Sequence, residues 1–221
     1  MKFEGEKMSD QIFVSQPTVR RLPLYLRILK EAESDGEENI SSTFIAGRLQ
    51  LESIQVRKDL ASMGITGQPG IGFTVKRLIK AIEQFLGWES PSDAFIIGAG
   101  NLGAALAGYR GFDEYNLNII AAFDVSPEIV GTEINSKKVF HIDRLSELIQ
   151  RMSVKIGILT LPASDAQKVT DTMVEAGIKA IWNFTPVKLQ VPDEVFIETV
   201  DLAASLAVLS NKVSESKVAQ K

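Results

Sequence analysis

The sequence predicts an α/β protein in two parts: a winged helix-turn-helix domain over residues 1–88, then a doubly wound parallel sheet over residues 89–200. Three observations carry this reading. Two short runs of helical spacing, joined by a tight turn, follow a longer helical run and precede a glycine-dense stretch. Beyond residue 93, strand-like apolar runs alternate with helical ones, the mark of a parallel sheet crossed by helices. Between the parts, Gly87 to Asp93, with Pro91, reads as a linker. The 221 residues suit two domains of the usual ~100–200 residues each.

The elements follow in order. The first fifteen or so residues have no clear period. From Thr18 to about Ala32, Leu22, Leu26 and Leu29 share one helical face, and Pro17 suits a first turn. Pro23 predicts that this helix starts or bends near it. After the acidic turn Ser34–Asn39, Ser41 or Ser42 caps a short helix to about Leu49. Gln50–Glu52 then connects to another helix from Ser53 to about Met63. Gly64 to Val75 holds four glycines and a proline, which predicts a two-stranded hairpin, or wing. Lys76 to Phe85 is helical again. In the second part, strands are expected at Ala94–Ile97, Asn118–Phe123, Val139–Ile142, Ile156–Leu161, Ala180–Phe184 and Val195–Val200. Helices are expected from the glycines after Ile97 to about Arg110, then at Arg144–Met152, Ser164–Ala176 and Asp201 to roughly Lys217.

Composition removes much chemistry. Hydrophobic residues at 45% and charged residues at 24% suit packed cores rather than disorder. Without cysteine there can be no disulfide, thiolate metal site or cysteine nucleophile, and His141 is the sole histidine. No apolar run reaches the ~18 residues of a membrane span, and no signal-peptide pattern opens the chain, so a cytoplasmic protein is expected. Residues 1–88 carry 12 basic against 11 acidic side chains and residues 89–221 carry 12 against 17. Thr18 to Lys30 holds four bases and no acid, a local basic face able to meet phosphate.

Gly98-Ala-Gly100-Asn-Leu-Gly103 is a G-x-G-x-x-G run between a strand and a helix. Gly98 permits the tight turn, Gly100 lets a pyrophosphate approach the backbone, and Gly103 lets helix and strand pack closely. Asp124 closes the next strand, placed to accept from adenosine ribose hydroxyls and to repel a 2′-phosphate. No base appears before Lys137, so NAD(H) is favoured over NADP(H). A coenzyme A-binding module and a small NAD-dependent oxidoreductase are the rivals. Against the latter, none of Tyr25, Tyr109 and Tyr115 has a lysine four residues on, and no length remains for a substrate domain. Binding without catalysis is the simpler reading. On the second short helix, Val56, Leu60 and Met63 form the core side. Ile54 and Lys58, flanked by Gln55 and Arg57, occupy the free side, which suits contact with bases and phosphates of DNA.

The chain resembles the Rex family of redox-sensing bacterial transcriptional repressors from about Pro17 to Leu209. The resemblance rests on Thr18-Val-Arg-Arg-Leu-Pro-Leu-Tyr-Leu-Arg27, Gln55-Val-Arg-Lys-Asp-Leu60 and Gly70-Ile-Gly-Phe-Thr-Val75. It continues through the glycine run, Ala122-Phe-Asp124, Thr160-Leu-Pro-Ala163, Ala176-Gly-Ile-Lys179, Asn183-Phe-Thr-Pro186 and Asp201-Leu-Ala203. It implies a homodimer that binds double-stranded operator DNA, a Rossmann NAD(H) domain, and a domain-swapped C-terminal helix and tail over residues 201–221. NADH would release the DNA, while NAD+ would compete and permit binding. Nucleotide contacts would come from Gly98, Gly100, Asn101, Leu102, Gly103, Asp124, Val125, Thr160, Pro162, Ala163, Asn183, Thr185 and Pro186. DNA contacts would come from Arg20, Ser53, Gln55, Arg57, Lys58 and Gly72. The switch would run through Arg21, Tyr109 and Asp201. No catalytic group and no metal are expected. The chain departs from the family pattern at Ala61-Ser-Met63, at Phe73, and at Gln68 and Pro69, where the family wing commonly carries a base.

Overall fold

A computed structural model describes residues 14–218, which divide into two compact units at Ser90/Pro91. The expectation for the chain's first residues lies outside the described residues as far as residue 13.

In the first unit, α1 runs from Gln16 to Ser34, with Ser15 as its N-cap accepting from the Thr18 amide and a proline in the first turn. It continues through Pro23, so the helix does not start there. Pro23 deprives the Val19 carbonyl of its donor, but Leu22, Tyr25, Leu26 and Leu29 are all buried around it and hold the helix against the core. The helix-turn-helix is α2 (Ser42–Leu49), capped by Ser41, and α3 (Ser53–Ser62). Gln50 makes the turn in a left-handed conformation, φ 54°. Val56 and Leu60 of α3 are fully buried, as the helical spacing predicts.

The wing differs from a regular hairpin. Its C-terminal limb, β2 (Phe73–Thr74), pairs antiparallel with β1 (Asn39–Ile40), a strand the sequence reading did not contain. The loop itself is closed by one bridge, Gln68 with Gly72. Gly72 sits at φ +90°, and a Cβ there would meet the Ile40 carbonyl oxygen at 2.3 Å. Helix α4 (Val75–Leu86) completes the unit and ends at Gly87.

The second unit is a seven-stranded sheet in the order β5-β6-β4-β3-β7-β8-β9. Its strands are β3 (Ser92–Ile97), β4 (Leu117–Asp124), β5 (Glu133–Ile134), β6 (Lys137–His141), β7 (Ile156–Leu159), β8 (Ala180–Asn183) and β9 (Phe196–Thr199). All pairs are parallel except β5 with β6. Without β5, the order is that of a Rossmann sheet, with the crossover direction reversing between β3 and β7. β5 went unread in the sequence. It joins β6 through Asn135 and Ser136, both at positive φ as a two-residue hairpin turn requires, but without the glycine that usually signals one.

The helices are α5 (Asn101–Ala107), α6 (Leu145–Met152), α7 (Ala163–Ala176) and α8 (Leu202–Val218). α5 stops three residues short of the expected Arg110. Gly108 follows it, packed so closely on Asn135 that a Cβ would lie 2.6 Å from that side chain. Asn135 Nδ2 in turn donates to the Ala104 carbonyl at 2.8 Å. Tyr109 therefore lies outside α5, ahead of a 3-10 helix at Arg110–Tyr115.

Gly72→Ala should weaken the first unit by about 1–3 kcal/mol, because the new side chain meets both a disfavoured φ and the Ile40 backbone. Thermal unfolding checks this: the transition should drop by several degrees, with Gly70→Ala, whose Cβ would meet nothing within 4 Å, losing less.

Candidate nucleic-acid interface and nucleotide cleft

Helix α3 is docked to α1 by one carboxylate. Asp59 is 2% exposed, and its oxygens accept five hydrogen bonds. Oδ1 takes the Thr18 hydroxyl at 3.1 Å, Arg21 Nη2 at 2.8 Å and Gln55 Nε2 at 2.8 Å. Oδ2 takes Arg21 Nε and the Tyr25 hydroxyl, each at 2.6 Å. Burial disfavours the charged form, but Arg21, Tyr25, Gln55 and Thr18 outweigh it and hold the carboxyl at about 2. Burial and the contact with Asp59 push the Tyr25 hydroxyl above its ordinary value, and the hydrogen bond to Asp59 raises Arg21. The sequence reading placed Arg21 in the switch and Gln55 at DNA. It did not single out Asp59, although an acid four residues after Gln55 in a buried register was the available signal.

The free face of α3 is as expected. Arg57 and Lys58 are exposed, as is Ile54, while Ser53 is half-buried at the helix start. Arg57 lines a groove of about 620 Å³ together with Ser41 and Ser42 at the start of α2 and Gln68 to Phe73 of the wing. The structure thus brings Arg57 and Gly72 to one groove. Arg20 is exposed on α1.

In the second unit, parallel register aligns Phe140, Phe123, Ile97, Leu159 and Asn183 across the sheet. The residues that follow them form its carboxyl edge, where ligands of such sheets bind. At the β3/β7 reversal, the Thr160 hydroxyl donates to the Gly98 carbonyl at 2.7 Å, and the Gly98 amide donates to Phe123 O. A Cβ on Gly98 would lie 2.5 Å from the Thr160 carbonyl, and one on Gly103 would lie 1.9 Å from the Gly98 carbonyl. A Cβ on Gly100 would meet nothing within 4 Å. Two glycines are therefore required by packing, and Gly100 leaves open space where a phosphate can approach the backbone.

A cleft of about 560 Å³ opens here, lined by Gly98, Gly100, Asp124, Val125, Thr160 and Pro162. Ile142, Asp143, Ser146, Asp165, Lys168 and Thr172 line it too, and the sequence reading gave none of them a nucleotide contact. They come from the 3-10 helix Ile142–Arg144, the start of α6, and α7, whose approach to the cleft depends on crossover geometry. Asp124 Oδ1 accepts from the Val125 and Ser126 amides at 2.8 and 2.9 Å, and Oδ2 from Ala99 at 2.7 Å. Oδ2 keeps a lone pair for a ribose hydroxyl. The carboxylate also caps its own turn and ties it to the glycine loop. These residues fit the adenosine and pyrophosphate parts of a dinucleotide.

Other residues named from the sequence lie apart from the cleft lining. Asn183 and Thr185 are buried and satisfy one another, with Thr185 N and Oγ1 donating to Asn183 Oδ1 at 2.9 and 2.7 Å. They shape the turn after β8. Asn101, Leu102 and Pro186 are exposed near the same edge, and Ala163 starts α7. Tyr109 is 58% exposed, its ring edge-on to Phe112 at 4.9 Å. Asp201 is exposed and accepts the Ala203 and Ala204 amides with Oδ1, so it caps α8. Arg21 Nη1 makes no hydrogen bond among the described residues.

A helix-turn-helix unit carrying a basic α3 face, joined to a Rossmann unit with a dinucleotide cleft, defines a nucleotide-responsive DNA-binding protein. The comparisons agree. Residues 13–61 match a family described as putative DNA-binding protein N-terminus, and residues 89–187 match the CoA binding domain. The chain is 49% identical to the redox-sensing transcriptional repressor Rex of Treponema denticola, over 95% of this chain and 100% of that one. It is 41% identical to Rex of Bacteroides fragilis, over 95% of each. The solved structure of RSP in complex with β-NAD+ and operator DNA superposes with a TM-score of 0.88 at 38% identity, covering 94% of this chain and 96% of that one. RSP in complex with β-NADH gives 0.82 at 36%, covering 94% and 98%. The chain belongs to the Rex family of redox-sensing transcriptional repressors.

Asp59 also sets an acid limit on the first unit. Its carboxyl is held at about 2 against an ordinary 3.8, so its contribution is complete above pH ~4 and lost as pH falls toward 2. Arg21→Ala removes the counter-charge and should cost ~2–4 kcal/mol at neutral pH, less than for a fully buried pair because Arg21 keeps some access to water. Denaturant unfolding of both proteins at pH 7 and pH 3 checks this, and the gap between them should shrink at the lower pH.

Proposed function

We propose that the chain is a homodimeric, cytoplasmic repressor that binds double-stranded operator DNA and is released from it by NADH, with NAD+ occupying the same cleft in the DNA-binding state. It has no catalytic role. The observation that carries this reading is the full-length likeness to a repressor solved with both β-NAD+ and operator DNA. The geometry supports it at both ends: an exposed basic face on α3, and a glycine loop and acid at the sheet reversal.

Bound NAD(H) supplies the redox signal, since its nicotinamide ring is neutral when reduced and cationic when oxidised. The chain's own residues hold and read it. The glycine loop and Asp124 grip the part common to both forms and the sensor must read the nicotinamide end. Coenzyme A fits less well, because its ribose carries a phosphate that Asp124 would repel. Dimerisation is supported by α8, on which Leu202, Leu206, Leu209 and Val213 form a stripe at spacings of four, three and four residues. Each is at least 48% exposed in the single chain. A swapped α8 would bury that stripe on the partner and bring its cap, Asp201, to the switch. There an aspartate can pair with Arg21 or accept the Tyr109 hydroxyl, and the two arrangements suit different domain angles.

Two experiments test this. Asp124→Ala should weaken NADH binding in calorimetric titration and narrow the margin over NADPH; unchanged affinity for both would remove Asp124 from the ribose site. Asp201→Ala should leave NADH binding largely in place while uncoupling it from DNA release. Operator affinity at zero and saturating NADH reads this directly, and a mutant that keeps the wild-type ratio would place the coupling elsewhere.

A further inference from the structure

Gln55 lies on α3 beside its exposed face, half-buried, with its side-chain amide tied to Asp59. The chemistry of that tie fixes which way round the amide sits. Asp59 is ionised and accepts only, so Gln55 must offer it Nε2 and turn Oε1 away. Among the described residues Gln55 makes no other side-chain hydrogen bond, and no buried side-chain oxygen or nitrogen lacks a partner. Oε1 is therefore open to solvent on the flank that also carries Ile54 and Lys58. A free glutamine can rotate its amide to accept or donate, and would then tolerate several bases.

We propose that Asp59 is a positioning residue for base recognition: it locks the Gln55 amide so that its carbonyl oxygen faces the major groove. The base it selects is one with an exocyclic amino group there. Adenine and cytosine have one; guanine and thymine present O6 and O4, which would oppose Oε1. Adenine is favoured of the two, because the second Nε2 hydrogen can reach its N7 in the bidentate arrangement. The carboxylate that fixes this choice is the one that Arg21 neutralises. The inference rests on the DNA-binding reading and deepens it.

The test is selection of bound duplexes from a random-sequence DNA library by the full-length protein. Affinities are then measured for the selected site and for its single-base variants. Wild type should show one position per half-site where adenine is preferred at least tenfold over guanine and thymine. Gln55→Met keeps the side-chain volume and leaves Asp59 its other four hydrogen bonds; it should reduce that preference to less than threefold and leave the other positions unchanged. Asp59→Asn lets the amide turn, so Gln55 can donate as well as accept. Guanine and thymine should rise relative to adenine at that same position, with the slope of affinity against salt unchanged because no phosphate contact is lost. A purely structural role for Asp59 would instead lower affinity for all sites alike and keep the preference. Retention of the wild-type preference in Gln55→Met overturns the proposal while leaving DNA binding intact. Failure of wild type to enrich any sequence overturns the DNA-binding reading as well.

Discussion

The Asp59 carboxylate is the constraint on which the first unit turns. An unpaired charge at 2% exposure would be neutralised or would unfold its surroundings. Here five donors from two helices converge on it, and four come from side chains outside the ordinary apolar core: Thr18, Arg21 and Gln55, with Arg21 counted twice. Leu22, Leu26, Val56 and Leu60 share one buried apolar cluster, but apolar burial is non-directional and by itself sets no particular rotation of α3. A bidentate arginine pair and a tyrosine hydroxyl have directions as well as distances. The cost of burying the charge is thus offset by a defined orientation of α3, the helix with the exposed basic face. Substituting an apolar pair could keep the stability while losing that orientation.

The second unit has a comparable device in backbone atoms. Gly98 stands where β3, β4 and β7 meet, with its amide on Phe123 and its carbonyl on the Thr160 hydroxyl. No side chain fits there or at Gly103, and Asp124 reaches across to hold Ala99. The loop is therefore rigid before any nucleotide arrives, which spares binding the cost of ordering it. On the proposed reading its grip falls on the part shared by NAD+ and NADH, so rigidity here would raise affinity for both and discriminate neither.

Much of this was legible in the sequence, and the exceptions share a cause. Periodicity gave α1, α3 and α4 because their buried faces repeat within one element: Leu22, Leu26 and Leu29 in α1, Val56 and Leu60 in α3. The glycine run announced its turn because each glycine answers a local steric demand. The features that stayed hidden depend on residues distant in sequence. β1 exists only because Phe73 and Thr74 return to pair with Asn39 and Ile40. The end of α5 is set by Asn135, 27 residues beyond Gly108, and this displaced Tyr109 from the helix to which the spacing assigned it. Lys168 and Ser146 reach the nucleotide cleft through crossovers whose path no local pattern encodes. Asp59 is the sharpest case. As a letter it belongs to a solvated helix face beside Arg57 and Lys58, and only its position three residues after buried Val56 places it against α1.

That position bears on how little energy the switch requires. A tenfold change in operator affinity corresponds to ~1.4 kcal/mol of coupling, and one hydrogen bond to a charged group contributes ~1.5–3 kcal/mol. Exchange of a single charge-assisted contact therefore suffices, and no refolding of either unit is needed. Arg21 suits the exchange because its guanidinium is divided. Nε and Nη2 hold Asp59, and Nη1 is uncommitted among the described residues. On the proposed reading, Asp201 engages that remaining edge in one state and gives it up in the other, while Asp59 keeps its neutralising partner in both. A lysine could not do this, since a point charge drawn toward Asp201 would leave Asp59 uncompensated. On that reading arginine is required at position 21 because it would serve two carboxylates at once: Asp59, which holds α3, and Asp201, which would report on the nucleotide.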